Sequence, residues 1–221
     1  MPFTSDTFDF LRDLEQNNEK TWFEDNRARY ENALKTPALD LIAALSEPMS
    51  ALSPALRAEP RLNGSLRRIN RDARFSKDKT PYSPRLHLVF WHGDHPNRSP
   101  GMHFVLHADG VGYGAGQWAI EPDRLAALRN KVIDPSTGAA FEAALSSAEA
   151  VGCQLGEPAL KRIPKGFDAD APRADYLRYK GFVARTHDEK ASPKAVIGEQ
   201  ALEWMMTQTR ACLPLLAWLT D

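Results

Sequence analysis

The stretch LHLVFWHGDHPNRSPGMHFVLHADGVGYGAGQW, residues Leu86–Trp118, decides the fold. Leu86 to Trp91 is a clear strand of apolar and aromatic residues. His92 to Gly101 collects Gly, Asp, Pro and Asn, which suits a loop between antiparallel strands. Met102 to His107 is a second strand, Asp109-Gly110 a hairpin turn, and Val111 to Trp118 the strand that returns from it. Gly112, Gly114 and Gly116 alternate along that last strand and leave one face bare. Another backbone or a ligand approaches there, and a backbone is the commoner reason.

Working outward, the N-terminal third reads helical. Phe8, Leu11 and Leu14 follow a cap at Ser5 or Asp6, and Asn17-Asn18 ends the pattern. A second helix begins near Glu19 with Trp22, Phe23, Asn26 and Tyr30 on one side. Thr36-Pro37 reads as an N-cap with proline at the first helical position, opening a helix with Leu41, Leu45 and Met49. Downstream of the strands, helices are expected from Glu121-Pro122-Asp123 and over Ser136 to Ala150. A last strand is expected over Gly181 to Thr186, then a polar linker around Asp188 to Pro193 and a C-terminal helix from about Gly198. Helices, then hairpin-connected strands, then helices make an α+β fold with an antiparallel or mixed central sheet. At 221 residues, with 43% hydrophobic and 26% charged, the chain is read as one domain over 1–221, with 191–221 as linker and C-terminal helix.

Between the first helices and the strands lies GSLRRINRDARFSKDKTPYSPR, Gly64–Arg85. Here Arg67, Arg68, Arg71, Arg74, Lys77, Lys79 and Arg85 meet only Asp72 and Asp78, in a chain whose net charge is −1. Such an imbalance calls for carboxylates from elsewhere in the chain or for an external anion. Leu66 to Asp72 reads as a strand with Arg68, Asn70 and Asp72 on one face and Ile69 and Arg71 on the other. The turn after it then presents Arg68 and Arg74, with Lys77 and Lys79, around one concavity. Pro81 and Pro84 forbid a helix.

Several pieces together resemble the uncharacterised, mainly bacterial family called domain of unknown function 2461. They are FLRDLEQNNEKTWFEDNRARYE, GSLRRINRDARFSKDKTPY, PGMHFVLHADG with GYGAGQW, and LKRIPKGFDADAP. The resemblance runs from Phe10-Leu11 to about Thr186, so about 1–190 is the family-like core. It implies no activity. It implies that Arg68, Arg71, Asp72, Arg74, Phe75, Asp78, Lys79, Pro81, Tyr82, His107 and Trp118 stand on hallmark positions.

Arg68, Arg71, Arg74, Lys77 and Lys79 are therefore the candidate anion-binding residues, because guanidinium groups give bidentate charge-assisted hydrogen bonds to phosphate or carboxylate. Phe75 and Trp118 are candidates to line the pocket. Asp72, Asp78, Tyr82 and His107 are the candidates for acid and base work beside the cations. The bland alternative is that Asp72 and Asp78 pair the arginines and only fix the turn. His87, His92, His95, His103 and His107 invite a metal reading, but a usual site also has carboxylate or thiolate ligands at compatible geometry, only His107 stands on a hallmark position and His92 and His95 fall in an exposed loop, so no metal or other cofactor is expected. No phosphate loop, nucleophile elbow or Cys/His dyad occurs. Cys153 and Cys212 fit reduced thiols in a cytoplasmic protein, and no apolar run reaches the roughly 18 residues of a membrane span. The leading reading is a protein that binds an anionic small molecule. A nucleic-acid-binding module is the first alternative, since aromatics exposed beside arginines would stack on bases. A structural or interaction domain is the second.

Overall fold

The computed structural model describes residues 2–221. Helices α1 (Ser5–Gln16), α2 (Lys20–Asp25), α3 (Arg27–Tyr30) and α4 (Thr36–Leu52) come first. Strands β1 (Leu56–Arg57), β2 (Leu86–His92), β3 (Gly101–His107) and β4 (Gly110–Gln117) follow. Then come α5 (Pro122–Ile133), α6 (Pro135–Glu149), β5 (Gln154–Leu155), β6 (Phe182–Arg185) and α7 (Gln200–Thr220). The six strands form one antiparallel sheet in the order β1-β2-β3-β4-β6-β5, so the fold is α+β. The residues divide into two compact units. The first holds everything up to Phe90 with His103–Tyr113 and Asp188–Thr207; the second holds Trp91–Met102, Gly114–His187 and Gln208–Asp221.

In the first unit, α1 starts one residue earlier than its sequence suggests, with Thr4 as the cap residue and Phe10, Leu11 and Leu14 buried. Helix α4 begins at Thr36, with Pro37 in its first turn, but Thr36 does not cap a fresh start: α3 runs into α4 through a π-turn at Glu31–Lys35. Pro37 has no N–H, so the carbonyl of Ala33 loses its partner one turn ahead. The buried hydroxyl of Thr7 donates to that carbonyl instead, at 2.7 Å. Phe10 packs on Trp22 and Phe23 on Tyr30, with ring centroids 5.6 and 5.2 Å apart, which makes the aromatic face of these helices a core face.

The basic segment is not the regular strand that Leu66–Asp72 suggested. It touches its neighbours only at isolated bridges, Leu66 to Leu88 and Asn70 to Tyr82. Proline at 81 removes the ladder donor opposite Arg71, and the bonds that remain are Arg71 to the Pro81 carbonyl at 2.8 Å and Ser83 to that of Ile69 at 2.7 Å, with Arg67 to the His87 carbonyl at 2.9 Å beside β2. Asn18 supplies what the ladder lacks. Its side-chain amide donates to the Tyr82 carbonyl at 2.9 Å, and its carbonyl oxygen accepts from the Tyr82 N–H at 3.0 Å. The Tyr82 ring stacks on Phe23 with centroids 4.2 Å apart.

On one face of β2 and β3, His87 and His103 share a hydrogen bond of 2.8 Å between Nε2 and Nδ1. Burial, then the neighbouring imidazole and Arg67, lower His87 to about 3. Burial and Arg67 lower His103 to about 4. Both rings are therefore neutral at neutral pH, one donating and the other accepting.

In the second unit, Phe141 packs on Phe182 and Trp218 at 5.2 and 4.5 Å. Asp134 caps α6 by accepting from the N–H groups of Ser136 and Thr137. Cys153 and Cys212 are free and buried, and the contact between them, together with burial, raises the Cys212 thiol. The bare face of β4 is explained by β6. A Cβ at Gly114 would lie 2.5 Å from the Ala184 carbonyl oxygen, and Gly116, at φ +143°, faces the Phe182 carbonyl just as closely. The approaching group is backbone.

Two outcomes are expected. Asn18→Ala removes both bonds to Tyr82 and should lower stability by about 1–3 kcal/mol, read as a lower urea midpoint at unchanged slope; an unchanged midpoint would show that the amide does not hold the segment. The histidines have folded midpoints below their unfolded value, so their contribution is full above about pH 6.5 and is lost as pH falls towards 4. Replacing both with glutamine should flatten the stability profile between those values, and a profile unchanged in shape would refute the assignment.

Candidate functional site

A cleft of about 760 Å³ opens in the first unit where four pieces of chain converge. Helix α1 brings Arg12 and Glu15, the basic segment brings Arg71, Asp78 and Arg85, the end of β3 brings His107, and the linker before α7 brings Lys190. The linker is held by a two-way backbone bridge between Val111 and Ala191, both bonds 2.9 Å. Only glycine fits opposite it: a Cβ at Gly110 would stand 2.7 Å from the Ala191 carbonyl oxygen. That close approach places the Lys190 ammonium 2.7 Å from Asp109. Arg12 reaches across from α1 with one guanidinium nitrogen on Asp9 at 2.6 Å and another on the Ala108 carbonyl at 3.4 Å.

The candidate residues divide. Arg71, Asp78 and His107 line the cleft together. Arg71 is shielded and bonds Asp78, the Thr80 hydroxyl and the Thr80 carbonyl. Arg68, Arg74, Lys77 and Lys79 do not line it, which corrects the concavity drawn around them. The alternation expected for residues 68–72 is present, with Ile69 and Arg71 turned in and Arg68, Asn70 and Asp72 turned out, so Arg71 rather than Arg68 faces the cleft. Arg74 forms a bidentate pair with Asp72, at 2.9 and 2.7 Å, in the open. Lys79 donates to the carbonyls of Ala73 and Arg74, tying off the turn. Tyr82 is core through its stack on Phe23. Phe75 is 95% exposed with the Arg74 guanidinium 5.7 Å from its ring centre, and it does not line this cleft. Trp118 belongs to the second unit and lines a different cavity there.

Arg12, Glu15, Arg85, Asp109 and Lys190 complete the cleft and were not singled out as its residues by sequence. Arg85 stood in the basic segment and Asp109 in the hairpin turn, but nothing local ties Lys190 or α1 to them. The electrostatics favour an anion. Arg85 is exposed and bonds only the Ser83 hydroxyl, at 3.2 Å, which leaves its terminal nitrogens without a carboxylate. His107 is lowered by burial first, then by Lys190 and Arg85, against the opposing pull of Asp109 and Glu15. The cations outweigh the carboxylates at that imidazole. Asp78 is held near 2 by the Thr80 N–H first, then by Arg71 and the Thr80 hydroxyl. Among the described residues, no three metal-ligating side chains stand together.

An α+β chain with a cationic cleft, strapped on one side by the linker before α7, is what the geometry defines. The chain matches the family model described as "Conserved hypothetical protein (DUF2461)" over residues 6–218, and it belongs to that family. No curated protein and no solved structure matches it.

Because Asp78 is depressed in the folded chain, its contribution is present above its unfolded midpoint and is lost as pH falls towards 2. Arg71→Ala should raise its midpoint only part of the way to 3.8, since the Thr80 N–H remains. Carboxyl-carbon NMR titration reads this directly, and an unmoved midpoint would mean that the pair does not form in solution.

Proposed function

We propose that the chain binds a small anionic molecule, bearing phosphate or carboxylate, in the cleft of the first unit. The observation that carries the reading is Arg85, whose terminal nitrogens have no acceptor, beside a half-buried neutral His107 at a point where cations outweigh carboxylates. A guanidinium fork is suited to two oxygens of one anion. Arg71, pinned by Asp78 and Thr80, is pre-set as a second donor, so its ordering has already been met by folding. Lys190 adds a point charge from the strap.

A nucleic-acid reading keeps one specific observation in its favour. Phe75, bare of protein contact except Arg74, sits on a loop with Lys77 and Lys79 also exposed, the combination that stacks on unpaired bases.

A thermal-shift series with phosphate, sulfate, sugar phosphates and short oligonucleotides separates the two. One anion class should stabilise the native protein, by about 2.7 kcal/mol at a hundredfold excess over Kd. The gain should vanish in Arg85→Ala and persist in Arg74→Ala, and the same ligand should raise the NMR midpoint of His107. Stabilisation by oligonucleotides alone, falling steeply with salt and lost in Phe75→Ala, would replace the first reading with the second. No shift from any anion would overturn both.

A further inference from the structure

The second unit has its own cavity, of about 560 Å³, between the start of β6 and the turn after β5. Its most conspicuous wall is Trp118, 69% exposed, where a large aromatic side chain gains nothing from folding. The Arg185 guanidinium carbon lies 5.9 Å from the centre of the indole ring. Arg185 and Lys180 both line the cavity, and among the described residues neither forms an ion pair with a carboxylate. The only acidic residue in the wall is Glu157, so the cavity carries a net positive charge.

The far wall is rigid and polar. The Tyr179 hydroxyl donates to the Gly156 carbonyl at 2.8 Å, which fixes the ring and leaves the oxygen's lone pair available. His187 stands in left-handed backbone conformation, φ +46°, which a side-chain-bearing residue adopts at a cost. In that conformation its Nε2–H donates to the Gln154 carbonyl at 3.0 Å, so the ring's acceptor nitrogen is Nδ1. Leu155 and Val183 supply apolar surface between these polar groups.

A flat exposed aromatic, two cations without carboxylate partners among the described residues and two fixed acceptors in one concavity of ligand size match one kind of molecule. We propose that this cavity binds a heteroaromatic base carrying phosphate, with the base stacked on Trp118 and the phosphate held by Arg185 and Lys180. The Tyr179 oxygen and His187 Nδ1 face the base as acceptors for its exocyclic amino group. Base stacking on an exposed aromatic with an adjacent arginine is the mode used for single strands, and a free nucleotide presents the same chemistry. This inference stands apart from the cleft of the first unit and does not need it.

Trp118 is the one strongly exposed tryptophan among the described residues, so intrinsic fluorescence reports on the cavity. Titration of the full chain with adenosine monophosphate should quench emission saturably. Adenosine and ribose 5-phosphate, each carrying half of the recognised chemistry, should bind about tenfold more weakly or worse. Trp118→Ala should abolish the signal and Arg185→Gln should raise Kd at least about tenfold, while Arg85→Ala should leave it unchanged. Both substituted side chains are exposed, so the variants should melt with the native protein, and that melting is recorded alongside. Saturation by the mononucleotide identifies a free nucleotide as the source. Saturation only by short oligo-deoxyadenylate, with the same dependence on Trp118 and Arg185, identifies a single strand. Quenching that persists in Trp118→Ala, or no saturable quenching by either probe, overturns the proposal.

Discussion

The amide of Asn18 does for the basic segment what a neighbouring strand does elsewhere in the sheet. A side-chain amide has the same donor and acceptor as a peptide group, and here both are spent on the N–H and C=O of one residue, Tyr82. The segment from Arg67 to Arg85 has few repetitive backbone bonds of its own, so this clamp and the Tyr82–Phe23 stack fix where it lies against α1 and α2. Arg71 follows from it, since its N–H is bonded to Pro81, the residue next to the clamped one. The position of Arg71 in the cleft therefore traces back to the break between α1 and α2, whereas Lys190 is set by the Val111–Ala191 bridge. In the sequence that break is only an Asn-Asn pair ending a helix.

The sheet was legible because its signals are local. Apolar runs, the Asp109-Gly110 turn and the glycine alternation each specify backbone without reference to distant residues, and β2, β3, β4 and β6 fall within a residue or two of their expected spans. The glycines also gave the right reason, a close backbone. Misreadings arose where a distant residue changes the local answer. Thr36-Pro37 carries a sound helix-start pattern, yet Thr7 satisfies the carbonyl that the proline abandons and the helix runs through. Leu66–Asp72 has strand-like alternation, and the alternation is real, but Pro81 opposite Arg71 interrupts the ladder.

The candidate site was legible in composition and not in geometry. Excess cations marked a segment of twenty or so residues from which Arg71, Asp78 and Arg85 line the cleft, but charge counts cannot say which guanidinium is already spent. Arg74 is satisfied by Asp72 two positions away, an exposed pair of little energetic weight. Arg71 is committed to Asp78 and Thr80 within the same turn. Arg85 looked no different in sequence and, of the segment's two arginines that line the cleft, is the one without a carboxylate. Trp118 likewise was grouped with the basic motif because both are hallmark positions, whereas its surroundings belong to the second unit.

The contacts that close the cleft span long stretches of chain: 64 residues between Asn18 and Tyr82, 81 between Asp109 and Lys190, and 96 between Arg12 and Ala108. Loops of that length are costly to close and slow to find. During synthesis from the N-terminus, the arginine-rich segment emerges well before the strap that carries Lys190. The cleft is thus a late product of folding, and a nascent chain shows its bare cationic segment for as long as the ribosome takes to cover the distance.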